Sequence, residues 1–141
     1  MPLVNMRELL KSALKENYAV GSFSVANMEM IIGAIKAAEE LKSPIILQIA
    51  EVRLKYSPLE LIGPMMIKVA ESSKVPVAVH FDHGITSENI KKALDLGFTS
   101  VMIDGSHLDI EDNIKITNQI SSMAKLYNAA VEAEIGHVGG S

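Results

Sequence analysis

The chain has 141 residues, 48% of them hydrophobic, with 13 Lys and Arg against 17 Asp and Glu. That is enough apolar material for one core, and a net charge of −4 without a basic stripe argues against nucleic acid as the main partner. The absence of cysteine excludes disulfides and thiolate chemistry; no apolar run approaches the roughly 18 residues of a membrane span, and MPLVNMRELL is too broken by Asn5, Arg7 and Glu8 for a signal peptide, so the expected setting is the cytoplasm.

In chain order, a helix is predicted around residues 6–16, then an apolar, β-branched run YAVGSFSV (18–25). A helical pattern over 27–41 leads to the strand SPIILQIA (43–50). The next helix, 58–73, contains Pro64, which either begins its regular part or kinks it. The strand VPVAVHF (75–81) follows, then a helix over 86–97 with Ile90, Ala93, Leu94 and Gly97 at helical spacing. Thr86 or Ser87 can cap that helix and Gly97 can end it. The strand TSVMID (99–104) precedes a helix over 110–127 with Ile110, Ile114, Ile120 and Met123 as its expected apolar face, and AAVEAEI (129–135) is the last strand. Short strands apolar on both faces, alternating with helices, predict an α/β fold with a parallel sheet covered by helices. Such a sheet is either doubly wound or part of a (β/α)8 barrel. No Gly-x-Gly-x-x-Gly follows the first strand and no Walker A pattern occurs, which lowers the weight of the doubly wound, nucleotide-binding form.

The stretch VAVHFDHG (77–84) raises a sharper question, because a core strand ends in His80, Asp82 and His83. Residues two apart share a face, so His80 and Asp82 point the same way, and His83 is expected at the turn leaving the strand. The next strand ends in Asp104, and the one after carries Glu132 and Glu134 on one face near its end. Taken singly, each has an ordinary explanation: a hydrogen-bonded surface histidine, a turn aspartate, a solvated edge. The conjunction on three neighbouring strands is different, because the C-terminal ends of parallel strands lie side by side, where a barrel places its active site. Clustered carboxylates are costly to desolvate, and a divalent metal compensates several at once; histidine with carboxylates suits zinc or a similar ion.

These stretches resemble the class II, metal-dependent ketose-bisphosphate aldolases, a family that includes fructose- and tagatose-bisphosphate aldolases. YAVGSF (18–23), SPIILQ (43–48), VPVAVHFDHG (75–84), GFTSVMIDGSH (97–107) and VEAEIGHVGG (131–140) fall in that family's order and spacing. The resemblance implies a (β/α)8 TIM barrel of which residues 1–141 supply about the first five βα units, as the N-terminal part of a single domain. It implies Asp82 as the catalytic residue that exchanges a proton with the aldehyde half. It implies His83, Asp104 and Glu134 as residues that bind or orient Zn2+, with a position for a second divalent or monovalent cation. His80 resembles a residue that orients its neighbours, and Asn27 an asparagine near the substrate. The implied activity is zinc-dependent, reversible aldol cleavage of a ketose 1,6-bisphosphate, fructose 1,6-bisphosphate first and tagatose bisphosphate as the alternative. The implied partners are a phosphorylated sugar and further copies of the same protein, as a dimer or tetramer, with neither nucleic acid nor membrane.

The sequence also departs from that pattern. A (β/α)8 barrel takes about 250 residues; the later zinc histidines and phosphate loops are not present, and His107 and His137 are expected to line loops. Strands one and five would be open edges. The expectation is therefore half of a longer aldolase, the alternative being an inactive half-barrel that acts as an assembly or binding module. In AEVRLKY (50–56), Ala50 and Val52 stand where many relatives carry serine and glycine. That change removes a hydroxyl from the loop near a substrate phosphate.

Overall fold

The computed structural model describes residues 2–136. Its elements run α1 (Met6–Glu16), β1 (Gly21–Ser24), α2 (Met28–Leu41), β2 (Ile45–Ala50), α3 (Leu59–Ser72), β3 (Val77–Gly84), α4 (Ser87–Asp95), β4 (Ser100–Ile103), α5 (Ile110–Leu126) and β5 (Ala130–Glu132). The strands form one sheet in the order β1-β2-β3-β4-β5, and all pairings are parallel. Sequential parallel order is what repeated βα units give when each crossover returns to the next position.

The sheet has two unlike faces. Ile45, Leu47, Ile49, Val77, Val79 and Phe81 pack with Ile31, Ile35, Met66, Ile90, Leu94 and Ile120 of the helices in the main core. The other face carries residues of opposite parity. Its floor is a small apolar cluster in which Met6 and Leu9 of α1 cover Ile46, Ala78 and Ala130. The segment before α1 anchors this plug: Val4 N–H donates to the Val77 carbonyl at 2.9 Å, and Val77 N–H to the Pro2 carbonyl at 2.7 Å. Above the floor the same face turns polar, with Ser24, Gln48, His80 and Ser100 in one register row and Asp82 and Glu132 above them.

Helix ends follow local chemistry. Asn5, Asn27 and Thr86 cap α1, α2 and α4 through side-chain oxygens that accept backbone N–H groups. Gly97, just past α4, takes φ 95°, as expected of a glycine terminator. Helix α3 begins at Leu59, ahead of Pro64, and continues through it to Ser72, so Pro64 does not begin the helix. The face of α5 differs from expectation. Ile110 and Ile114 are about half exposed, and the buried residues are Asn113, Ile120 and Ala124. The helix is rotated because Asn113, not the flanking isoleucines, meets its partners inside. Strand β1 is an exposed edge, with Phe23 47% accessible. No helix among the described residues is long and apolar enough to cross a membrane.

The strand ends carry two further differences. β3 runs on to Gly84 rather than stopping at Phe81, with an irregularity: Phe81 pairs with Val101 and Gly84 with Ile103, so three steps on β3 oppose two on β4. This is a β-bulge, and His83 sits in it at φ 43°. β5 ends at Glu132, so Glu134 lies in the segment beyond the strand and not on its face.

Gly84 is fixed by the bulge. A Cβ there would lie 2.4 Å from the Met102 carbonyl oxygen and 2.8 Å from Ile90. Gly84→Ala is expected to destabilise the protein by on the order of 2 kcal/mol. Gly33→Ala, where a Cβ meets nothing within 4 Å on an exposed part of α2, is expected to stabilise it by about 0.5–1 kcal/mol. Denaturant unfolding of both variants checks this contrast.

Candidate functional site

The bulge decides what the end of β3 presents. In a regular strand Asp82 and His83 would face opposite sides. The left-handed backbone at His83 turns its ring to the same mouth as Asp82, and His83 Nε2 lies 3.9 Å from Asp82 Oδ1. Non-glycine residues in this region are uncommon and store strain, and such strain gathers at functional sites.

His83 Nδ1 lies 2.8 Å from Asp104 Oδ2. Asp104 Oδ1 accepts from the Ser106 hydroxyl at 2.6 Å and from the Ser106 amide at 3.1 Å. Burial works against the charged form of Asp104, but Ser106 and His83 outweigh it and hold the carboxyl at about 2. The Asp104 contact raises His83 above the ordinary imidazole value, against its partial burial, with Asp82 adding to the rise. A carboxylate that accepts from one ring nitrogen fixes the tautomer and leaves the other nitrogen for a cation. Glu134 completes the group: His83, Asp104 and Glu134 each offer a ligand atom within 4.8 Å of the others. One imidazole with two carboxylates is a donor set that fits zinc, cobalt or manganese.

Asp82 is held from the side. Gln48 Nε2 donates to Asp82 Oδ2 at 2.9 Å and to Ser24 Oγ at 3.1 Å, while Gln48 Oε1 accepts from the Ser22 hydroxyl. Burial raises the Asp82 carboxyl above its ordinary value; His83 opposes this, and Asp104 and Glu134 add to it. His80 lies beneath, 1% exposed, with Nδ1 2.8 Å from Ser100 Oγ. Among the described residues its Nε2 has no hydrogen-bond partner, and it faces Glu132 Oε2 at 3.5 Å and Asp82 Oδ1 at 3.8 Å. Glu132 is raised by burial and by Asp82, with His83 opposing.

A cavity of about 620 Å³ opens over these groups, lined by Ser24, Met30, Ala50, Val52, Arg53, Asp82, His83 and Asp104. Ala50 and Val52 make part of its wall apolar. The Arg53 guanidinium at the rim forms no hydrogen bond or ion pair among the described residues. Glu51 turns away to clamp the next loop: it accepts from the amides of Ile85 (2.6 Å) and Thr86 (3.1 Å), from Thr86 Oγ1 (2.9 Å) and from Asn89 Nδ2 (2.8 Å).

Asp82, His83, Asp104 and Glu134 therefore meet at one mouth. Asn27 lies at the same end of the sheet, where its Oδ1 caps α2 by accepting from Met30 N–H at 2.9 Å. His107 is exposed in the segment between β4 and α5, and His137 lies outside the described residues. Sequence reading missed Gln48, Ser106 and Asn113. Gln48 was detectable as the one polar residue in IILQIA, sharing parity with Ile46 and Ala50; Ser106 and Asn113 carry no comparable signal.

A parallel βα array with a histidine–carboxylate cluster and a hydrogen-bonded aspartate at its strand ends is the arrangement of a barrel-type site, with donors that could hold a metal ion. The comparisons narrow the class. The family model for class II fructose-bisphosphate aldolase matches residues 4–141. A fructose-bisphosphate aldolase of Giardia intestinalis is 44% identical over 141 residues, 99% of this chain and 44% of that protein. A 6-phospho-5-dehydro-2-deoxy-D-gluconate aldolase of Halalkalibacterium halodurans is 41% identical, over 99% of this chain and 50% of that protein. Among solved structures, the YdjI aldolase of Escherichia coli K12 matches with a TM-score of 0.92 at 37% identity, covering 96% of this chain and 52% of that one. The chain belongs to the class II fructose-bisphosphate aldolase family. It spans about half the length of the curated relatives it matches, and its five βα units make up about half of that family's (β/α)8 barrel.

The buried His80 sets a pH dependence. Burial, and then the neighbouring His83, lower its pKa from 6.5 to about 4, against contact with Ser100. As pH falls below 6.5 the unfolded chain takes up a proton that the folded chain refuses until about 4. Stability is therefore lost through that window and is fully present above it. The loss approaches roughly 3 kcal/mol at its acid end. His80→Asn is expected to flatten this limb in thermal unfolding of the metal-free protein between pH 7 and 4.5; an unchanged acid limb contradicts it.

Proposed function

We propose that residues 1–141 form the N-terminal part of a single barrel domain, and that the whole protein performs metal-dependent, reversible aldol cleavage of a phosphorylated ketose, with fructose 1,6-bisphosphate the leading substrate. The observation that carries this reading is the junction at the end of β3. There Asp82 is held by Gln48 beside a His83–Asp104–Glu134 cluster whose ligand atoms lie within 4.8 Å of one another.

In this reading His83, Asp104 and Glu134 bind or orient the cation, with Zn2+ the leading candidate, and Asp104 also keeps the His83 ring in place. A cation held there would supply Lewis-acid polarisation of the ketone oxygen. Asp82 exchanges the proton at the oxygen of the aldehyde half. Burial raises its carboxyl, so it takes a proton more readily than a free aspartate, as an acid–base group must, and the Gln48 amide fixes which oxygen faces the substrate. Arg53, at the apolar rim, is placed to meet an anionic group at the far end of that half. It offers a charge in a loop where Ala50 and Val52 offer none. Tagatose bisphosphate is the second reading of the substrate, because the Ala50–Arg53 loop that lines the cavity departs from the family pattern.

Turnover of fructose 1,6-bisphosphate by the full-length protein, followed by coupled assay, is expected to vanish on chelation and return with Zn2+ or Co2+. Asp82→Ala is expected to lower kcat by about 10²–10⁴-fold. Gln48→Leu is expected to lower kcat by roughly tenfold and to shift the pH profile, because one Asp82 oxygen loses its donor. Cleavage that survives both chelation and Asp82→Ala sinks the proposal.

A further inference from the structure

Asn113 lies on α5, 5% exposed, on a helix otherwise buried through Ile120 and Ala124. Its amide makes contacts in three directions. Nδ2 donates to the backbone carbonyl of Glu134 at 2.8 Å. Oδ1 accepts from the Thr117 hydroxyl one turn on, at 3.2 Å, which fixes the orientation of the amide. Oδ1 also lies over Gly105, so close that a Cβ added there would come within 2.5 Å of it. Gly105 immediately follows Asp104. One buried amide thus touches both loops that bring carboxylates to His83.

Glu134 needs such a partner. The ladder to β4 ends with the Met102–Glu132 pair, so the sheet does not position residues beyond Glu132. A side chain two residues past a strand end is as precise as whatever holds its backbone, and metal affinity depends on that precision. We infer that Asn113 is a positioning residue for the metal cluster: it locks the Glu134 backbone onto the Asp104–Gly105 loop and sets the ligand geometry before any cation arrives. The inference rests on the metal-site reading above, and concerns a residue remote in sequence from every ligand.

The test is metal affinity of the full-length protein, stripped by chelation and titrated with Zn2+ and Co2+ against a chromophoric competitor. The variants are Asn113→Ala, Glu134→Ala, their combination, Thr117→Val and His83→Ala. Asn113→Ala is expected to weaken binding by about 10–100-fold. In the Glu134→Ala background it is expected to add almost nothing, because the carboxylate it positions is gone. Thr117→Val leaves the amide in place but unoriented, and is expected to cost a few-fold; it keeps the inference testable if Asn113→Ala does not fold. Full affinity in folded Asn113→Ala, full affinity in Thr117→Val, or a loss that is additive with Glu134→Ala overturns it. His83→Ala separates the two levels: if it leaves affinity intact, the metal site itself is wrongly assigned, whereas if it abolishes binding while Asn113→Ala does not, only the role of Asn113 fails.

Discussion

The approach of Gly84 to the Met102 carbonyl governs the site, because a side chain at residue 84 would collide with the neighbouring strand. That closeness lets β3 carry one extra residue past β4, and the extra residue places His83 in the left-handed region. Two consecutive side chains then reach the same side of the sheet. Without the bulge, Asp82 would face the polar mouth alone and His83 would point into the layer of helices. The hydrogen bond from the Asp104 amide to the Gly84 carbonyl, at 2.9 Å, ties the far end of the bulge to the strand that supplies the next acid.

Around that junction the electrostatics are unbalanced in a directed way. Asp82 and Glu132 are pushed toward their neutral forms by burial and by the surrounding acids, while Asp104 is held charged by Ser106 and His83. His80, with a ring nitrogen that faces two carboxylates and has no hydrogen-bond partner among the described residues, resists taking a proton of its own. Such an arrangement is expensive for a purely structural cluster and becomes favourable once a cation sits beside the carboxylates. The apolar floor under α1 and the polar row above it place this cost at one end of the sheet, where the cavity opens to solvent.

Much of this was legible from residues alone. The strand–helix alternation located every element, and the α4 stripe of Ile90, Ala93 and Leu94 is buried as its spacing implies. That acids and imidazoles gather at three strand ends was legible because parallel strands align their C-terminal ends; the particular set of His83, Asp104 and Glu134 came from the family resemblance, and Glu134 lies beyond its strand. What stayed hidden depends on packing. The rotation of α5 could not be read from Ile110 and Ile114, since a buried amide with three contacts outweighs the apolar pull of two isoleucines at the helix start. The bulge was invisible because Gly84 looks like an ordinary turn residue until β4 lies beside it. Gln48 stood out in an apolar strand, but its role depends on the parity it shares with Asp82.

Glu51 has a consequence for anion recognition. Its carboxylate already occupies the start of α4, taking the Ile85 and Thr86 amides that would otherwise point outward with the positive end of that helix. The helix terminus nearest the acid cluster is in effect pre-loaded with an internal counter-ion. An anion entering this mouth finds the Ile85 and Thr86 amides already taken. Among the described residues, the Arg53 guanidinium on the cavity rim remains free to meet such a charge.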